Sequence, residues 1–199
     1  MNVKLQYDAE FLAGIYYDSR LQMNQYSVSL NLVTCVNDPI TTNIAMDRVK
    51  AFLYGQLEST VFINTRAGSE TAEMLAILGC NVTTLPEEPV DQIIGMMLYY
   101  KLNAVMEGRM IIDRLDISSV LGDSVWYQHD NEDGAGPFAA DGWWNEANCQ
   151  HHNLDTADES ENVVKVINKG WREYGLEWPD ENRATANTVV FANFPRNEN

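Results

Sequence analysis

The chain has 199 residues, and its 13 Lys and Arg against 29 Asp and Glu give a formal net charge of −16 and a pI near 4.4. A chain this acidic is unsuited to bind the phosphate backbone, so we expect no direct nucleic-acid binding. Hydrophobic residues make up 45% and charged residues 21%, values that exclude wholesale disorder.

The first predicted elements are a pair of strands and a helix. Residues 11–17 and 25–36 predict two strands of a hairpin, since apolar residues recur at every second position of the second stretch. Asp38 and Pro39 then mark a helix start, because Asp caps N-termini and proline at the first helical position loses no hydrogen bond. The apolar spacing extends this helix to about Leu57.

A short strand, a second helix and another strand follow. Residues 61–63 and 82–85 are short apolar runs that predict buried strands. Between them, Ser69 begins a helix that Gly79 ends. We expect its buried face to consist of three apolar residues, Met74, Leu75 and Leu78.

The longest predicted helix runs from Pro89 to about Glu107, and strands over 110–112 and 125–127 follow it. The predicted order ββαβαβαββ indicates an α+β fold with helices packed on one mixed β-sheet. A last strand is predicted over 188–194. We expect residues 1–199 to form a single domain, with residues 128–162 as an acidic, loop-rich insertion.

The insertion has an unusual composition. No Lys or Arg occurs between Arg114 and Lys165, and eleven acids lie in that stretch. The stretch between Arg114 and Lys165 also contains all three histidines, one cysteine and three of the five tryptophans. Three interpretations stay open: a solvated acidic loop, a surface that binds a partner, and a metal site.

The partner surface would be built from acids around two tryptophans. Trp143 and Trp144 can each bury about 150–250 Å², so we expect them to anchor the segment. Exposed carboxylates around them would attract a basic protein partner. A sharper version is an acidic DNA mimic that inhibits a host DNA-binding protein. The residues of this predicted surface are Asp130, Glu132, Asp133, Asp141, Trp143 and Trp144.

The alternative is a metal-dependent, hydrolase-like enzyme that uses a divalent cation. Imidazole and thiolate suit zinc, and carboxylates suit harder cations. The histidines at 151 and 152 are adjacent, however, and point apart on regular structure. Asp130 or Asp133 would act as a base. The candidate metal ligands are His129, Cys149, His151 and His152.

The cysteines and the N-terminus predict a cytoplasmic protein that does not interact with membranes. The three cysteines are widely separated and form no CxxC pair, and the first residues carry no apolar signal segment. The longest apolar run is far shorter than the ~20 residues of a membrane span. We expect Cys35 and Cys80 to be buried and Cys149 to be the accessible thiol.

Four segments carry a resemblance to a known group of proteins: MNQYSVSL at 23–30, PVDQIIG at 89–95, KLNAVMEG at 101–108 and LGDSVWY at 121–127. Together they resemble uncharacterised proteins of T-even-type tailed phages, including marine cyanophages. That family has no assigned activity, so the resemblance implies only a viral protein made in a bacterial cytoplasm. The sequence thus predicts a non-enzymatic viral accessory or interaction protein.

Overall fold

The computed structural model describes residues 3–149 and 170–179, and these residues form six strands and three α-helices. Their order is the predicted ββαβαβαββ, so the α+β fold with a mixed sheet is confirmed. The predicted strand over 188–194 lies outside the described residues. The strands are β1 (Lys4–Tyr17), β2 (Arg20–Thr34), β3 (Thr60–Asn64), β4 (Asn81–Leu85), β5 (Met110–Ser119) and β6 (Tyr127–Asp130).

The sheet has the strand order β4-β3-β1-β2-β5-β6. Strands β1 and β2 form an antiparallel hairpin, and β5 and β6 continue the antiparallel pairing on the β2 side. On the other side, β3 pairs parallel to β1 and β4 pairs parallel to β3. The two short parallel strands need crossover connections, and helices supply them.

Helices cover the two faces of the sheet unequally. Helices α1 (Pro39–Phe52) and α3 (Asp91–Met106) pack on one face and bury the main core. Helix α2 (Ser69–Ile77) packs on the opposite face over β3 and β4, in a smaller core with Val61 and Val82. On this opposite face, no helix among the described residues packs over β1, β2, β5 and β6, and we call this part of the sheet the uncovered face.

Helix starts and close contacts follow the local sequence. The Asp38 side chain accepts hydrogen bonds from the backbone N–H groups of Ile40 and Thr41, as expected for the N-cap of α1. In α3, Gly95 lets the helix approach the sheet, because a Cβ there would lie 2.7 Å from both His129 Nε2 and an Ile117 methyl carbon.

No described helix has both the length and the apolar character needed to cross a membrane.

Two predicted details of the early elements are wrong. Strand β1 begins at Lys4 rather than near residue 11, because Leu5, Tyr7 and Ala9 already alternate with polar residues. The hairpin turn is therefore short: Tyr17 pairs with Arg20, and the predicted connector over 18–24 is mostly strand.

The predicted buried face of α2 is also wrong. Leu75 is buried, but Met74 and Leu78 are exposed, Leu78 by 71%. The second buried residue of α2 is Ala72, three positions before Leu75. This helix is only nine residues long and packs on two short strands, so a narrow stripe suffices to attach it.

Candidate functional site

The acidic segment starts as strand β6 at the edge of the sheet. His129 pairs with Leu115 of β5 and is buried against α3, whereas Asp130 pairs with Arg114 on the uncovered face. Arg114 bonds the Asp116 carboxylate at 2.8–3.0 Å and makes no ion pair with Asp130. Successive side chains of β6 point to opposite faces of the sheet, so the His129 imidazole and the Asp130 carboxylate lie on opposite faces.

A tight turn holds three of the predicted surface acids. The backbone N–H of Asp130 donates to Asp133 Oδ2 at 3.0 Å, and the N–H of Glu132 donates to Asp130 Oδ1 at 2.9 Å. Glu132 and Asp133 are exposed and Asp130 is half-buried. Burial raises the pKa of the neighbouring Tyr99 hydroxyl, and Tyr100, Asp130 and Asp133 raise it further. We call residues 130–133 the acidic turn.

Two buried tryptophans hold the chain that follows the acidic turn. Trp143 and Trp144 are 1% and 7% exposed, so they belong to the core and not to the surface. Trp143 Nε1 donates to the Thr84 carbonyl at 3.1 Å, which ties the segment to the end of β4. The Trp144 ring meets Phe138 edge-on at 5.2 Å between centroids. Asp141 is exposed just before this pair.

A buried lysine of α3 makes further polar contacts with the same segment. Lys101 is fully buried, and its Nζ donates to the carbonyls of Trp143 at 2.9 Å and Glu146 at 2.8 Å. Burial lowers the pKa of Lys101 to about 7, although electrostatic interactions with Glu146 and Cys149 act in the opposite direction. The ammonium group therefore holds residues 143–146 against the helix.

Arg48 of α1 holds the second irregular segment, residues 170–179. Its guanidinium lies between the rings of Trp171 and Trp178, at 4.8 and 3.8 Å from their centroids. It also donates to the Leu176 carbonyl at 2.9 Å and to the Glu107 carboxylate at 2.6 Å. The side chain is 1% exposed, so these contacts replace nearly all of its water.

The predicted metal ligands lie in separate surroundings where they are described. His129 faces Gly95, and its Nε2 has no hydrogen-bond partner within residues 3–149 and 170–179. Burial lowers the pKa of His129 against the opposing effects of Asp133, the Gln92 carbonyl, Asp116 and Asp130. His151 and His152 lie outside the described residues. In the described part of the chain, no three His, Cys, Asp or Glu side chains converge to hold a metal ion.

The expected exposure of the cysteines is wrong. Cys35, expected inside, is exposed, and Cys80 is intermediate. Cys149, expected to be the accessible thiol, is buried, and burial raises its pKa. Its polar sequence neighbours misled the prediction because Lys101 and Trp171 bring this part of the segment into the core.

Sequence reasoning missed the two cations that organise these segments. Arg48 is one residue from Val49 and three from Ala45, both on the buried face of α1. Lys101 is in the same position relative to Leu98 and Leu102 on α3. Helical spacing therefore placed both cations on apolar faces, which is the signal that could have identified them.

No family model matches the sequence, and no curated protein matches it significantly. Several solved structures are distantly similar to this chain. An uncharacterised protein from Wolinella succinogenes is 10% identical with a TM-score of 0.48, over 66% of this chain and 99% of that one. The 6-pyruvoyltetrahydropterin synthase of Plasmodium vivax is 12% identical with a TM-score of 0.43, over 65% and 97%. The Plasmodium falciparum enzyme is 13% identical with a TM-score of 0.41, over 64% and 96%. These likenesses leave the function open.

Proposed function

We propose that this protein is a non-enzymatic interaction protein that binds a basic protein partner through the acidic turn and Asp141. The observation that carries the proposal is the arrangement of exposed carboxylates on a turn fixed by its own hydrogen bonds. The buried pair Trp143 and Trp144 attaches the following chain to the core. A rigid acidic surface loses little conformational entropy on binding a cationic partner.

The distribution of cations supports the same proposal. The described residues include nine Lys and Arg but 22 Asp and Glu. Arg48 and Lys101 are buried, so their charges do not offset the surface acids at close range. Six of the other seven cations pair with carboxylates of this chain: Lys4, Lys50, Arg66, Arg109, Arg114 and Arg172. The surface is thus left strongly negative, which favours encounters with a basic protein.

Charge-matched variants test whether the acidic turn is the binding surface. The variant D130N/E132Q/D133N/D141N removes four charges but keeps side chains that accept hydrogen bonds. Binding of fluorescent poly-lysine is measured by anisotropy at low and moderate salt. We expect this variant to bind about tenfold more weakly than the parent, with a smaller salt dependence.

The control D18N/D47N/E70Q/E73Q removes the same number of exposed charges from the hairpin tip, α1 and α2. We expect it to bind within about twofold of the parent. Equal losses in both variants would show that only net charge matters, and unchanged binding in both would show that the turn does not bind cations. Either result rejects the proposal. The viral accessory role implied by the phage resemblance stays a prediction.

A further inference from the structure

The two edges of strand β1 differ in how much of their length is paired with a neighbouring strand. On one side, all its residues from Lys4 to Tyr17 pair with β2. On the other side, only Gly14, Ile15 and Tyr16 pair with β3. The first part of β1 therefore has an edge to which no strand of the described chain is added, and such an edge is a template for another strand.

Leu12 fixes the direction of the backbone groups on that edge. Its N–H donates to the Glu58 carboxylate at 3.1 Å and its C=O accepts from the Ser59 N–H at 2.7 Å, both on the β3 side. Since backbone groups alternate along a strand, those of Gln6, Asp8 and Glu10 point to the same side. Within residues 3–149 and 170–179, no backbone group bonds to them.

The side chains beside this edge determine which side chains an added strand should carry. Asp8 and Glu10 lie on the uncovered face, in an open depression of about 470 Å³ that Ser27, Ser29 and the exposed Trp126 also line. Exposed Tyr54 lines the same depression next to the edge. No Lys or Arg side chain is among the residues that line it. Hydrogen bonds from Ser29 and Gln6 lower the pKa of Asp8 and keep its carboxyl group ionised.

We propose that the free edge of β1 binds an extended, basic segment of a partner protein as an additional strand. Its backbone would bond to the N–H and C=O groups of Gln6, Asp8 and Glu10. Alternate Lys or Arg side chains would then lie over the uncovered face, near the two carboxylates and the Trp126 ring. Two strands separate β1 from the acidic turn on β6, so this surface is distinct from the one proposed above.

Charge argues against a second copy of this chain as the occupant. Antiparallel pairing of two β1 edges would bring the acids of one copy beside the acids of the other, and like charges across paired strands are destabilising. Charged side chains on an edge strand are a common means of preventing self-association. The same acids would attract the Lys or Arg side chains of a basic segment.

Amide hydrogen exchange with a defined peptide tests the proposal. In the free protein, we expect fast exchange at Gln6, Asp8 and Glu10 and slow exchange at the intervening Tyr7 and Ala9, which face β2. A blocked peptide that alternates Lys and Val should slow the three fast amides. The same peptide with Glu in place of Lys should leave them fast. Slow exchange of these amides in a free dimer would show that a second copy occupies the edge, and would overturn the proposal.

Matched variants locate the peptide. Gln6→Pro removes an N–H that faces away from β2, so the hairpin keeps its hydrogen bonds. We expect it to weaken peptide binding about tenfold, whereas Gln6→Ala, with the same charge, stays within about twofold. The variant D8N/E10Q should also weaken binding, and D130N/D133N should not. Loss of binding in D130N/D133N with unchanged binding in Gln6→Pro would overturn this inference and support only the acidic turn.

Discussion

Two irregular segments of the protein are each attached by one buried cation of a helix, but the two cations differ in chemistry. Lys101 of α3 binds residues 143–146 by donating from a single ammonium to two backbone carbonyls. Arg48 of α1 binds residues 170–179 with a planar guanidinium that bonds a carbonyl and a carboxylate and stacks between two indole rings.

The difference shows how the type of cation sets the strength and pH dependence of each attachment. The guanidinium of Arg stays protonated at every accessible pH and makes several contacts in a fixed geometry. The ammonium of Lys is a compact charge that loses its proton readily when buried. We therefore expect the Arg48 attachment to be stronger and independent of pH, and the Lys101 attachment to be weaker and dependent on pH.

The largest effect is expected from Arg48→Ala. The substitution removes the ion pair with Glu107, the bond to the Leu176 carbonyl and the cation between Trp171 and Trp178. Glu107 keeps its contact with Arg109, so the cost comes from the lost packing and hydrogen bonds of a large buried side chain, about 2–5 kcal/mol of unfolding free energy. Urea denaturation followed by tryptophan fluorescence measures it.

Lys50→Ala is the control for Arg48→Ala, since Lys50 lies on the same helix in an exposed pair with Asp47. Such pairs contribute about 0.3–0.5 kcal/mol. If Arg48→Ala cost no more than Lys50→Ala, residues 170–179 would not be attached through the guanidinium, and the comparison of the two cations would fail.

Lys101→Met should have the next largest effect. Methionine fills a similar volume but leaves the carbonyls of Trp143 and Glu146 without their donor, a loss of about 1–3 kcal/mol. The measurement is the same urea denaturation. Increased stability in this variant would mean that burying the ammonium costs more than its hydrogen bonds return, which is known for some buried charges.

The two attachments also mark the boundary of what the sequence could predict. The order of the elements follows from periodicity, and the Asp38 N-cap follows from local chemistry. The buried state of Arg48 and Lys101 depends on distant residues, because carbonyls and indole rings more than forty positions away replace their water. The charge of a Lys or Arg alone suggests that its side chain is exposed. The order of the elements could therefore be predicted from the sequence, but the burial of these two cations could not.

The same reasoning applies to the candidate site. The large area of Trp143 and Trp144 was sufficient to expect that they anchor the segment. The expected accessibility of Cys149 was wrong because only the folded chain brings Lys101 and Trp171 beside it. The free edge of β1 depends on where β3 stops pairing, and no local pattern encodes that point.

Gly142→Ala should have an intermediate effect and tests the packing behind the Lys101 attachment. A Cβ at Gly142 would lie 2.5 Å from ring carbons of Trp144, so the indole must move. Such overpacking costs about 1–3 kcal/mol. Gly134→Ala is the matched control, since a Cβ there meets no atom within 4 Å. Equal stability of the two variants in thermal melts would show that the Trp144 ring is not held against Gly142.

The smallest effect is expected from a change of pH from 7 to 8. Burial lowers the pKa of Lys101 to about 7 from an ordinary 10.5, so above pH 7 the unfolded chain holds a proton that the folded chain releases. Stability should therefore rise with pH from about 6 towards 10.5, and this group should contribute almost no slope below about pH 6. Between pH 7 and 8 the rise should be about 1 kcal/mol. In this range the buried Cys149 thiol, whose pKa is raised from 9.0, stays protonated and contributes little.

The two cation variants separate this effect from all other titrating groups. Urea denaturation of the parent, Lys101→Met and Arg48→Ala is compared at pH 7 and 8. The rise should disappear in Lys101→Met, because the group that releases the proton is absent, and it should persist in Arg48→Ala, because a guanidinium does not titrate there. A rise that survives in Lys101→Met would come from another group, and the ammonium of Lys101 would then stay protonated in the folded protein like the guanidinium of Arg48.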